Sequence, residues 1–298
     1  MKKRGKWPVS KSLWVGFIFL YAATVGRVYA NTPEYVIRSG GIERTYRLYL
    51  PDNLPDGAPL VVVLHGYSGN NKSDRLKATA ARHGFAVCYP QGEKDGRGKT
   101  CWNVGYPFQH DMTIDDVEFL TQLVGHLQNK HRFSRHNVFC AGMSNGGEMC
   151  YQLAAQRPAL FAAVAPVAGL MLNWLYKSDH SSVAVPLIEI HGTADKTSAW
   201  YGDPENKGGW GEYLPVPLAV HFCAAKNRCT VMQNDTLIGK APDCRPIIRH
   251  RFSGGTDGSE VWLYEIVGGG HSWGDKDLDT DEALWTFFSK FVKLSEKQ

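Results

Sequence analysis

Short runs of consecutive apolar residues, separated by stretches with helical spacing, constrain the fold of this chain more than any other feature. Residues 59–66 (PLVVVLHG), 137–143 (NVFCAGM) and 185–192 (VPLIEIHG) are apolar at successive rather than alternate positions. Such runs are typical of strands buried on both faces of a parallel sheet. From Asp115 onward, apolar residues recur every three or four positions, which predicts a helix with one buried stripe. The pattern therefore predicts an α/β fold, with a mainly parallel central sheet flanked by helices on both faces.

The same signals place the remaining elements. Alternating residues on either side of Gly40 and Gly41 predict two strands joined by a turn. Residues 91–113 are rich in glycine, aromatic and polar residues and are predicted to be a long loop. Further strands are predicted at 85–92, 161–169 and 260–271, and further helices at 73–84, 146–156 and 279–294. No internal repeat or low-complexity linker interrupts this series.

The N-terminal 30 residues are typical of a secretory signal peptide. A basic start precedes an apolar run from Leu13 to Val25, and small or neutral residues follow up to Ala30. The run is shorter than the roughly 20 residues that a membrane-spanning helix needs, and no cysteine follows it to accept a lipid. We expect cleavage after Ala30, export to the periplasm or the medium without a stable membrane anchor, and a single catalytic domain over residues 31–298.

The charge of the expected mature chain argues against a nucleic-acid partner. The formal charge of the whole sequence is +4, with 33 basic and 29 acidic residues. Six of the basic residues lie in the predicted signal peptide, so that 27 basic residues remain against 29 acidic ones. A chain close to neutral lacks the basic excess that phosphate binding requires.

All seven cysteines lie after the predicted cleavage site, in a compartment that favours disulfides. Cys229 and Cys244 lie in polar, irregular sequence and are the pair that we expect to form a bridge, whereas Cys88 and Cys140 lie in apolar runs and should be buried thiols. The CxxC spacing of metal sites is absent, so neither a metal nor another cofactor is predicted.

Ser144 is the candidate nucleophile. The pentad Gly-x-Ser-x-Gly occurs twice, around Ser144 and around Ser272. Ser144 follows an apolar strand and precedes a helix, which is the setting that exposes a serine hydroxyl at the carboxyl end of a sheet. Ser272 has no helix directly after it and lies too late in the chain for a histidine to follow. A plain structural turn remains the alternative for Ser144.

A serine hydroxyl needs a base, and the base needs an acid that orients it. In sheets of this type the three residues follow the order serine, acid, histidine. Asp195 follows the strand of residues 185–192, and His271 follows the strand of residues 260–271, each in a loop at the expected end of the sheet. His191 precedes Asp195 and so breaks this order. Ser144, Asp195 and His271 are therefore the predicted catalytic residues.

Acyl transfer also requires two donors for the oxyanion. The backbone N–H of Asn145, which follows the nucleophile, is the first, and the loop after an early strand usually supplies the second. In this chain that loop is HGYSGNN, so the N–H of Tyr67 is the predicted partner. We expect His65 to fix this loop through hydrogen bonds rather than to take part in the chemistry.

Seven segments, in this order, resemble one family of enzymes: LHGYSGN, YPQG, CWN, IDDVEFL, AGMSNGGEM, HGTAD and GGGHSW. The chain resembles the secreted esterases grouped as polyhydroxybutyrate depolymerase-like and feruloyl or acetylxylan esterases, which are related to carbohydrate esterase family 1. The resemblance extends from about Tyr35 to Phe291. It implies an α/β-hydrolase fold and a metal-independent serine carboxylesterase, with Ser144, Asp195 and His271 at the matching positions.

Two segments depart from the pattern of that family. The stretch after Asp195 is longer and more aromatic than usual, and the region from Cys223 to Cys244 is expanded. Trp200 and Trp210 in the first segment are candidate substrate-binding residues, although a packed surface loop is an equal alternative. Trp102 and Trp273 are candidates for the wall of the pocket because they lie near the predicted triad in the sequence.

The sequence thus predicts an exported serine esterase that acts on polyesters of the polyhydroxybutyrate type or on hydroxycinnamoyl or acetyl esters of plant cell walls, or on their oligomers. Two alternatives remain open at this stage. One is a non-catalytic protein that binds glycans or polyesters on a hydrolase scaffold. The other is an acyltransferase that uses the same triad.

Overall fold

Ten strands of the computed structural model, which describes Met1 and residues 32–293, form one twisted sheet. Apart from Met1, the predicted signal peptide lies outside the described residues. The described strands are β1 (Glu34–Ser39), β2 (Ile42–Tyr49), β3 (Leu60–Leu64), β4 (Ala86–Pro90), β5 (Glu93–Lys94), β6 (Thr100–Cys101), β7 (Val138–Met143), β8 (Ala163–Val167), β9 (Leu187–Gly192), β10 (Val231–Leu237), β11 (Ile247–Ser253) and β12 (Val261–Ile266). The described α-helices are α1 (Lys77–His83), α2 (Asp116–His131), α3 (Asn145–Gln156), α4 (Asn173–Ser178), α5 (Val216–Lys226) and α6 (Thr280–Phe288).

The centre of the sheet is parallel and its two edges are antiparallel. The strand order is β1-β2-β4-β3-β7-β8-β9-β12-β11-β10, and the six strands from β4 to β12 pair in parallel. Every residue of β3, β4, β8 and β9 is buried. This burial explains the uninterrupted apolar runs, because both faces of these strands are covered. The predicted α/β fold with a mainly parallel sheet is confirmed.

Two hydrophobic cores cover the opposite faces of the sheet. Along β3, Leu60, Val62 and Leu64 pack into one core, whereas Val61 and Val63 pack into the other. Helices α2, α3 and α5 contribute to the first core, and α1 and α6 contribute to the second. The predicted stripe of α2 is buried as expected, with Val117, Leu120, Val124 and Leu127 all in the first core. Helices therefore flank both faces.

The region from Cys223 to Cys244 contains a strand that the sequence did not reveal. Strand β10 pairs with β11 in antiparallel register, with Asp235 opposite Arg249. Six of its seven residues are exposed, so it lacks the apolar alternation by which a strand is recognised. The polar run around His250 is likewise part of a strand, β11. Ladder hydrogen bonds to a neighbouring strand hold β10, and a single sequence does not display such partners.

All seven cysteines are free thiols within the described part of the chain. The thiol of Cys229 faces the carbonyl oxygen of Ser259 at 3.7 Å, and that of Cys244 faces the carbonyl oxygen of Lys276 at 3.4 Å. The expected Cys229–Cys244 bridge is therefore absent, because each thiol lies against a different loop. Cys88 and Cys140 are buried, as predicted. Between residues 32 and 293, no helix is both long and apolar enough to cross a membrane.

Candidate active site

Ser144 lies on a strained turn between β7 and α3. Its backbone has φ 55° and ψ −124°, a conformation that side chains with a Cβ rarely adopt. A hydrogen bond from the Ser144 N–H to the carbonyl oxygen of Val167 (2.8 Å) ties the turn to β8. A Cβ on Gly142 would lie 2.3 Å from the carbonyl oxygen of Gly146, and a Cβ on Gly146 would lie 2.6 Å from that of Leu64. Glycine is required at both positions because the bend brings backbone to backbone.

Asp195 and His271 meet at the carboxyl ends of β9 and β12. Nδ1 of His271 lies 2.8 Å from Oδ2 of Asp195. The other carboxylate oxygen, Oδ1, accepts hydrogen bonds from the N–H groups of Thr197 and Ser198, each at 2.8 Å. An ionised carboxylate can only accept a hydrogen bond, so Nδ1 of a neutral His271 carries the proton and donates the hydrogen bond to Asp195. The lone pair of Nε2 then remains available. That arrangement is the one a general base needs.

Asp195 remains ionised in this environment. Burial raises the pKa of its carboxyl group, but the hydrogen bond and the charge of His271, together with the amides of Ser198 and Thr197, outweigh burial and bring the pKa below its usual value. The residue is nearly inaccessible to solvent. A buried carboxylate with three donors is both charged and fixed in orientation, as an acid that orients a histidine must be.

Close contacts between glycines bring the loops of the acid and the histidine together. A Cβ on Gly192, the last residue of β9, would lie 2.3 Å from the carbonyl oxygen of Gly269. The N–H of Ala194 donates to that oxygen (2.8 Å), and the N–H of Gly268 donates to Oγ1 of Thr193 (2.8 Å). The glycines before His271 therefore permit close packing of the two loops.

The structure brings His271 to Asp195, but it does not join His271 to Ser144. Within residues 32–293, Oγ of Ser144 makes no hydrogen bond to the imidazole. The three residues follow β7, β9 and β12, which lie within the four neighbouring strands β7-β8-β9-β12 and run in the same direction. All three loops therefore lie at the carboxyl end of the parallel strands. Hydrogen bonds between catalytic groups are often long in unliganded enzymes and shorten when substrate binds.

A second set of contacts holds the predicted oxyanion donors. The side chain of Asn145 exchanges two hydrogen bonds with the backbone of Trp102: Trp102 N–H donates to Oδ1 at 2.7 Å, and Nδ2 donates to the Trp102 carbonyl oxygen at 3.0 Å. The indole N–H of Trp102 donates to the carbonyl oxygen of His65 at 2.8 Å. Trp102 thus connects the start of α3 to the loop after β3, and it is wholly buried (0% exposed).

His65 fixes the loop that carries Tyr67. Its Nε2 accepts a hydrogen bond from the N–H of Gly92 (3.0 Å), so the proton lies on Nδ1, which donates to the carbonyl oxygen of Gly66 (2.8 Å). Burial lowers the pKa of His65, which keeps the ring neutral. These contacts match the structural role predicted for this residue. A Cβ on Gly66 would lie 3.5 Å from Cβ of Ser144, so the loop passes directly beside Ser144.

The backbone N–H groups of Tyr67 and Asn145 have no acceptor among the residues that the structure describes. Asn145 is the first residue of α3, where N–H groups have no partner within the helix. Unpaired N–H groups at a helix start also carry the positive end of the helix dipole. Both amides are thus free to bind an oxygen atom beside Ser144.

The four predicted substrate-binding tryptophans occupy different environments. Trp102 is buried behind the site, as described above, and has no surface on which a substrate could bind; this corrects its predicted place in the pocket wall. Trp200 is 7% exposed and packs edge-on against His191 with ring centroids 6.0 Å apart. Trp210 is half-buried and contacts Tyr67. Trp273 lines a cavity of about 280 Å³ beside the loop of His65.

Two buried polar pairs near the site were missed in the sequence. Glu189 and His191, on β9, are hydrogen bonded at 2.8 Å between Oε1 and Nδ1. On the other side, the hydroxyl of Tyr106 donates to Glu148 of α3. Burial raises the pKa of Glu148 to about 8. A signal was available for Glu189, because a charged residue within a strand buried on both faces requires a partner.

Comparison with known proteins identifies the family. A family model described as Esterase PHB depolymerase matches residues 44–198, which is more than half of the chain. The chain belongs to this family. It is therefore an esterase of the Esterase PHB depolymerase family, as the resemblance of its motifs indicated. The matched residues include Ser144 and Asp195, whereas His271 lies beyond them.

The relatives of this esterase include enzymes named for two kinds of substrate. The chain is 28% identical to poly(3-hydroxyalkanoate) depolymerase C of Paucimonas lemoignei, over 88% of this chain and 66% of that protein. It is 29% identical to NocK of Nocardia uniformis subsp. tsuyamanensis, which carries a provisional esterase name, over 82% of this chain and 74% of that protein. It is 24% identical to feruloyl esterase B of Thermothelomyces thermophilus, over 64% and 65%.

Solved structures share the fold of this esterase. Acetyl xylan esterase from Aspergillus awamori superposes with a TM-score of 0.61 at 16% identity, and the match covers 87% of this chain and all of that chain. A ferulic acid esterase from Anaeromyces mucronatus gives a TM-score of 0.55 at 12% identity, over 89% and 91%. The α/β-hydrolase fold that the resemblance implied is confirmed.

Proposed function

We propose that this esterase hydrolyses carboxylic esters through Ser144, His271 and Asp195. Oγ of Ser144 attacks the carbonyl carbon of the ester while Nε2 of His271 takes its proton. The tetrahedral intermediate then collapses, and His271 returns the proton to the departing alcohol. Water repeats the sequence on the acyl-enzyme and releases the acid and the free serine. Asp195 holds Nδ1 of His271 and stabilises the imidazolium, and it does not itself take up the proton.

The observation that carries this proposal is the 2.8 Å hydrogen bond between His271 and Asp195, at the end of the sheet where Ser144 lies on its strained turn. A glycine-flanked serine alone also fits a plain turn. A buried, ionised aspartate that is hydrogen bonded to Nδ1 of a partly exposed histidine is typical of a histidine that acts as a general base. His271 must approach Ser144 when substrate binds, and the glycines at 268–270 precede it in the same loop.

The amides of Tyr67 and Asn145 form the proposed oxyanion hole. Both lack protein acceptors in the described part of the chain, and the loop of Gly66 passes beside Ser144. Hydrogen-bond donors that are fixed before the reaction stabilise the negative charge that develops on the carbonyl oxygen. Loss of one such donor typically costs about 10² to 10³ in kcat.

For the substrate we propose esters from polymers, either hydroxyalkanoate polyesters or hydroxycinnamoyl and acetyl esters of plant cell walls. The names of the relatives support both kinds. Large polymers do not cross membranes, so the proposal includes export through the predicted signal peptide and catalysis by a single domain after it. The cavity between Trp273 and the loop of His65, also lined by Asn70 and Lys72, could receive one end of the ester.

Fluorophosphonate labelling tests the nucleophile. The wild-type enzyme should be labelled at one serine, and Ser144→Ala should not be labelled, whereas Ser272→Ala, in the second Gly-x-Ser-x-Gly pentad, should react like the wild type. Equal labelling of Ser144→Ala would reject the proposed mechanism. A hydrolysis panel of polyhydroxybutyrate, methyl ferulate, acetylated xylan and p-nitrophenyl esters then selects the substrate. Product analysis with added alcohols distinguishes hydrolysis from acyl transfer.

A further inference from the structure

His191 lies directly behind the proposed catalytic acid. Its side chain has no exposure to solvent, and both of its ring nitrogens face oxygen atoms. Nδ1 lies 2.8 Å from Oε1 of Glu189, and Nε2 lies 2.8 Å from the carbonyl oxygen of Ser198. Oδ2 of Asp195 is 3.7 Å from the same Nε2. A ring that faces two acceptors is suited to carry a proton on each nitrogen.

The contacts of His191 reach Asp195 through one short turn. Ser198 accepts a hydrogen bond from His191 with its carbonyl oxygen, and it donates its own N–H to Oδ1 of Asp195 at 2.8 Å. The oxygen atom that His191 approaches at 3.7 Å, Oδ2 of Asp195, is the one that binds His271. Both carboxylate oxygens of Asp195 are therefore influenced by His191, one through Ser198 and one through space.

Glu189 anchors this arrangement to the helix that carries the nucleophile. Its Oε2 accepts a hydrogen bond from the hydroxyl of Tyr151 on α3 (3.1 Å), and its Oε1 faces the N–H of Gly169 at 3.3 Å. Glu189, His191, Asp195 and His271 thus form a row of alternating carboxyl and imidazole groups. Two carboxylates without an intervening cation would repel each other in a buried site.

Resting on the function proposed above, we infer that His191 is a positioning residue for the catalytic acid: together with Glu189 it holds the 195–198 turn and balances the charge of Asp195. The alternative is a histidine that only fills the core under β9. A core histidine would affect stability when replaced, and it would leave the pH dependence of catalysis unchanged. The two roles are therefore separable by kinetics.

Replacement of His191 by glutamine keeps a polar side chain and removes the cation. We expect kcat to fall by about 10- to 100-fold with little change in KM, because a small misplacement of a catalytic group is sufficient for such a loss. With the cation gone, the full charge of Asp195 acts on His271. The acidic limb of kcat/KM should then move to higher pH, since an uncompensated carboxylate favours the protonated imidazole.

The charged or titratable groups that face His191 are few, which keeps the pH profile interpretable. Glu189 lies on the same strand, Glu265 lies opposite His191 on β12, Asp195 and His271 lie in the two loops, and Tyr151 reaches from α3. Glu148, also on α3, is close enough to Glu189 that the charge of Glu189 raises the pKa of Glu148 further than burial alone. Glu189→Gln leaves His191 in place but removes its counter-charge, so it should reproduce the loss in kcat.

A matched histidine–glutamate pair on the same sheet provides the control. His250 on β11 bonds Glu265 on β12, with Nε2 2.8 Å from Oε2, and among the described residues it contacts neither Asp195 nor Ser198. His250→Gln should retain wild-type kcat and the wild-type pH profile. If His191→Gln behaves like His250→Gln, the positioning role is wrong. If His191→Gln does not fold, Glu189→Gln decides by the same comparison.

Labelling separates this inference from the proposed function. Both His191→Gln and Glu189→Gln should still react with a fluorophosphonate at Ser144, more slowly than the wild type, and the labelled fraction reports how much enzyme is folded. Labelling that persists in Ser144→Ala would overturn the proposed function itself. Normal dependence on Ser144, together with an unchanged pH profile in both variants, would overturn only the role of His191.

Discussion

The two sides of the candidate site are supported by different kinds of contact. The acid side, comprising Asp195, His271, His191 and Glu189, is a row of groups that carry or exchange charge. The oxyanion side, comprising Asn145, Trp102, His65 and Tyr67, is held mainly by amide, indole and neutral imidazole hydrogen bonds, and the hydroxyl of Tyr67 donates to Asp95 at 2.6 Å. Both sides are largely buried, and they lie at the same end of the same sheet.

The difference follows from what the proposed mechanism requires of each side. Asp195 must stay ionised in a site shielded from water, so its surroundings need compensating charges and several donors. The oxyanion donors must present uncharged N–H groups in a fixed direction before any negative charge exists. Even the nearby carboxyl group of Glu148 fits this division, because burial raises its pKa to about 8 and it is mostly neutral at neutral pH. The comparison therefore separates a charge-balanced side from a side whose N–H donors are fixed mainly by contacts between uncharged groups.

The strongest test of the comparison is the removal of charge from the acid side. Asp195→Asn keeps the shape of the side chain, but an amide no longer requires the proton of His271 to lie on Nδ1. We expect kcat to fall by about 10⁴-fold, as is typical when the acid of a Ser-His-Asp triad becomes an amide. Steady-state hydrolysis of a p-nitrophenyl ester measures this loss.

Asp203 supplies a matched control in the same segment. Its carboxylate accepts hydrogen bonds from the N–H groups of Lys207 (3.0 Å) and Gly208 (2.7 Å), but it contacts no imidazole. Asp203→Asn should leave kcat within a small factor of the wild type. Equal losses in Asp195→Asn and Asp203→Asn would mean that loop order, rather than the charge on the acid side, limits the reaction.

A smaller effect is expected when one neutral contact of the oxyanion side is removed. Trp102→Phe keeps an aromatic ring but removes the indole N–H, and with it the hydrogen bond to the carbonyl oxygen of His65. Leaving a buried acceptor without its donor costs about 1 to 3 kcal/mol. If all of this cost appears in the transition state, kcat falls by about 5- to 150-fold. KM for a small ester should change little.

Trp262→Phe is the corresponding control for Trp102→Phe. Trp262 lies on β12, outside the site, and its indole N–H donates to Glu260 at 2.6 Å. Loss of this hydrogen bond should lower stability without lowering kcat. The pH profile of Trp102→Phe should also match that of the wild type, because no charge has been removed. A shifted acidic limb in Trp102→Phe would contradict the neutral character of the oxyanion side.

The smallest effect on activity is expected for Glu148→Gln. This substitution tests whether the carboxyl group beside the oxyanion side is neutral, through the pH dependence of protein stability. Burial raises the pKa of Glu148 to about 8 from its ordinary value of 4.5. Between these two pH values the folded protein binds more protons than the unfolded chain. The contribution of Glu148 to the free energy of unfolding is therefore fully present below about pH 4.5 and is lost as the pH rises through about 8. Thermal melts from pH 5 to pH 9 should show a steeper decline for the wild type than for Glu148→Gln.

An exposed glutamate gives the reference for that measurement. Glu118 on α2 lies 3.4 Å from Arg157 at the surface, where ion pairs contribute about 0 to 1 kcal/mol. Glu118→Gln should therefore retain the pH dependence of the wild type. The idea that Glu148 is neutral fails if its replacement leaves the melting curve parallel to the wild type at every pH.

The sequence supported different parts of this account to different depths. The central strands and the turn at Ser144 were predicted because burial on both faces and the flanking glycines leave direct marks on the residue order. The pairing of Asp195 with His271 followed from the order of the motifs, and the structure joins them, while their catalytic roles stay proposals. Strand β10 was missed because its residues are exposed, and the Cys229–Cys244 bridge was wrong because proximity in three dimensions does not follow from composition.

By itself the sequence determined the class of fold, the family and the loops in which the candidate catalytic residues lie, since each depends on local patterns and on chain order. Only the tertiary structure decided which side chains support those residues. Trp102 became a buried connection rather than a pocket wall, and His191 came to lie behind Asp195, through packing between segments far apart in the chain. Such contacts depend on the distances between strand ends and loops, which are set when the whole sheet assembles.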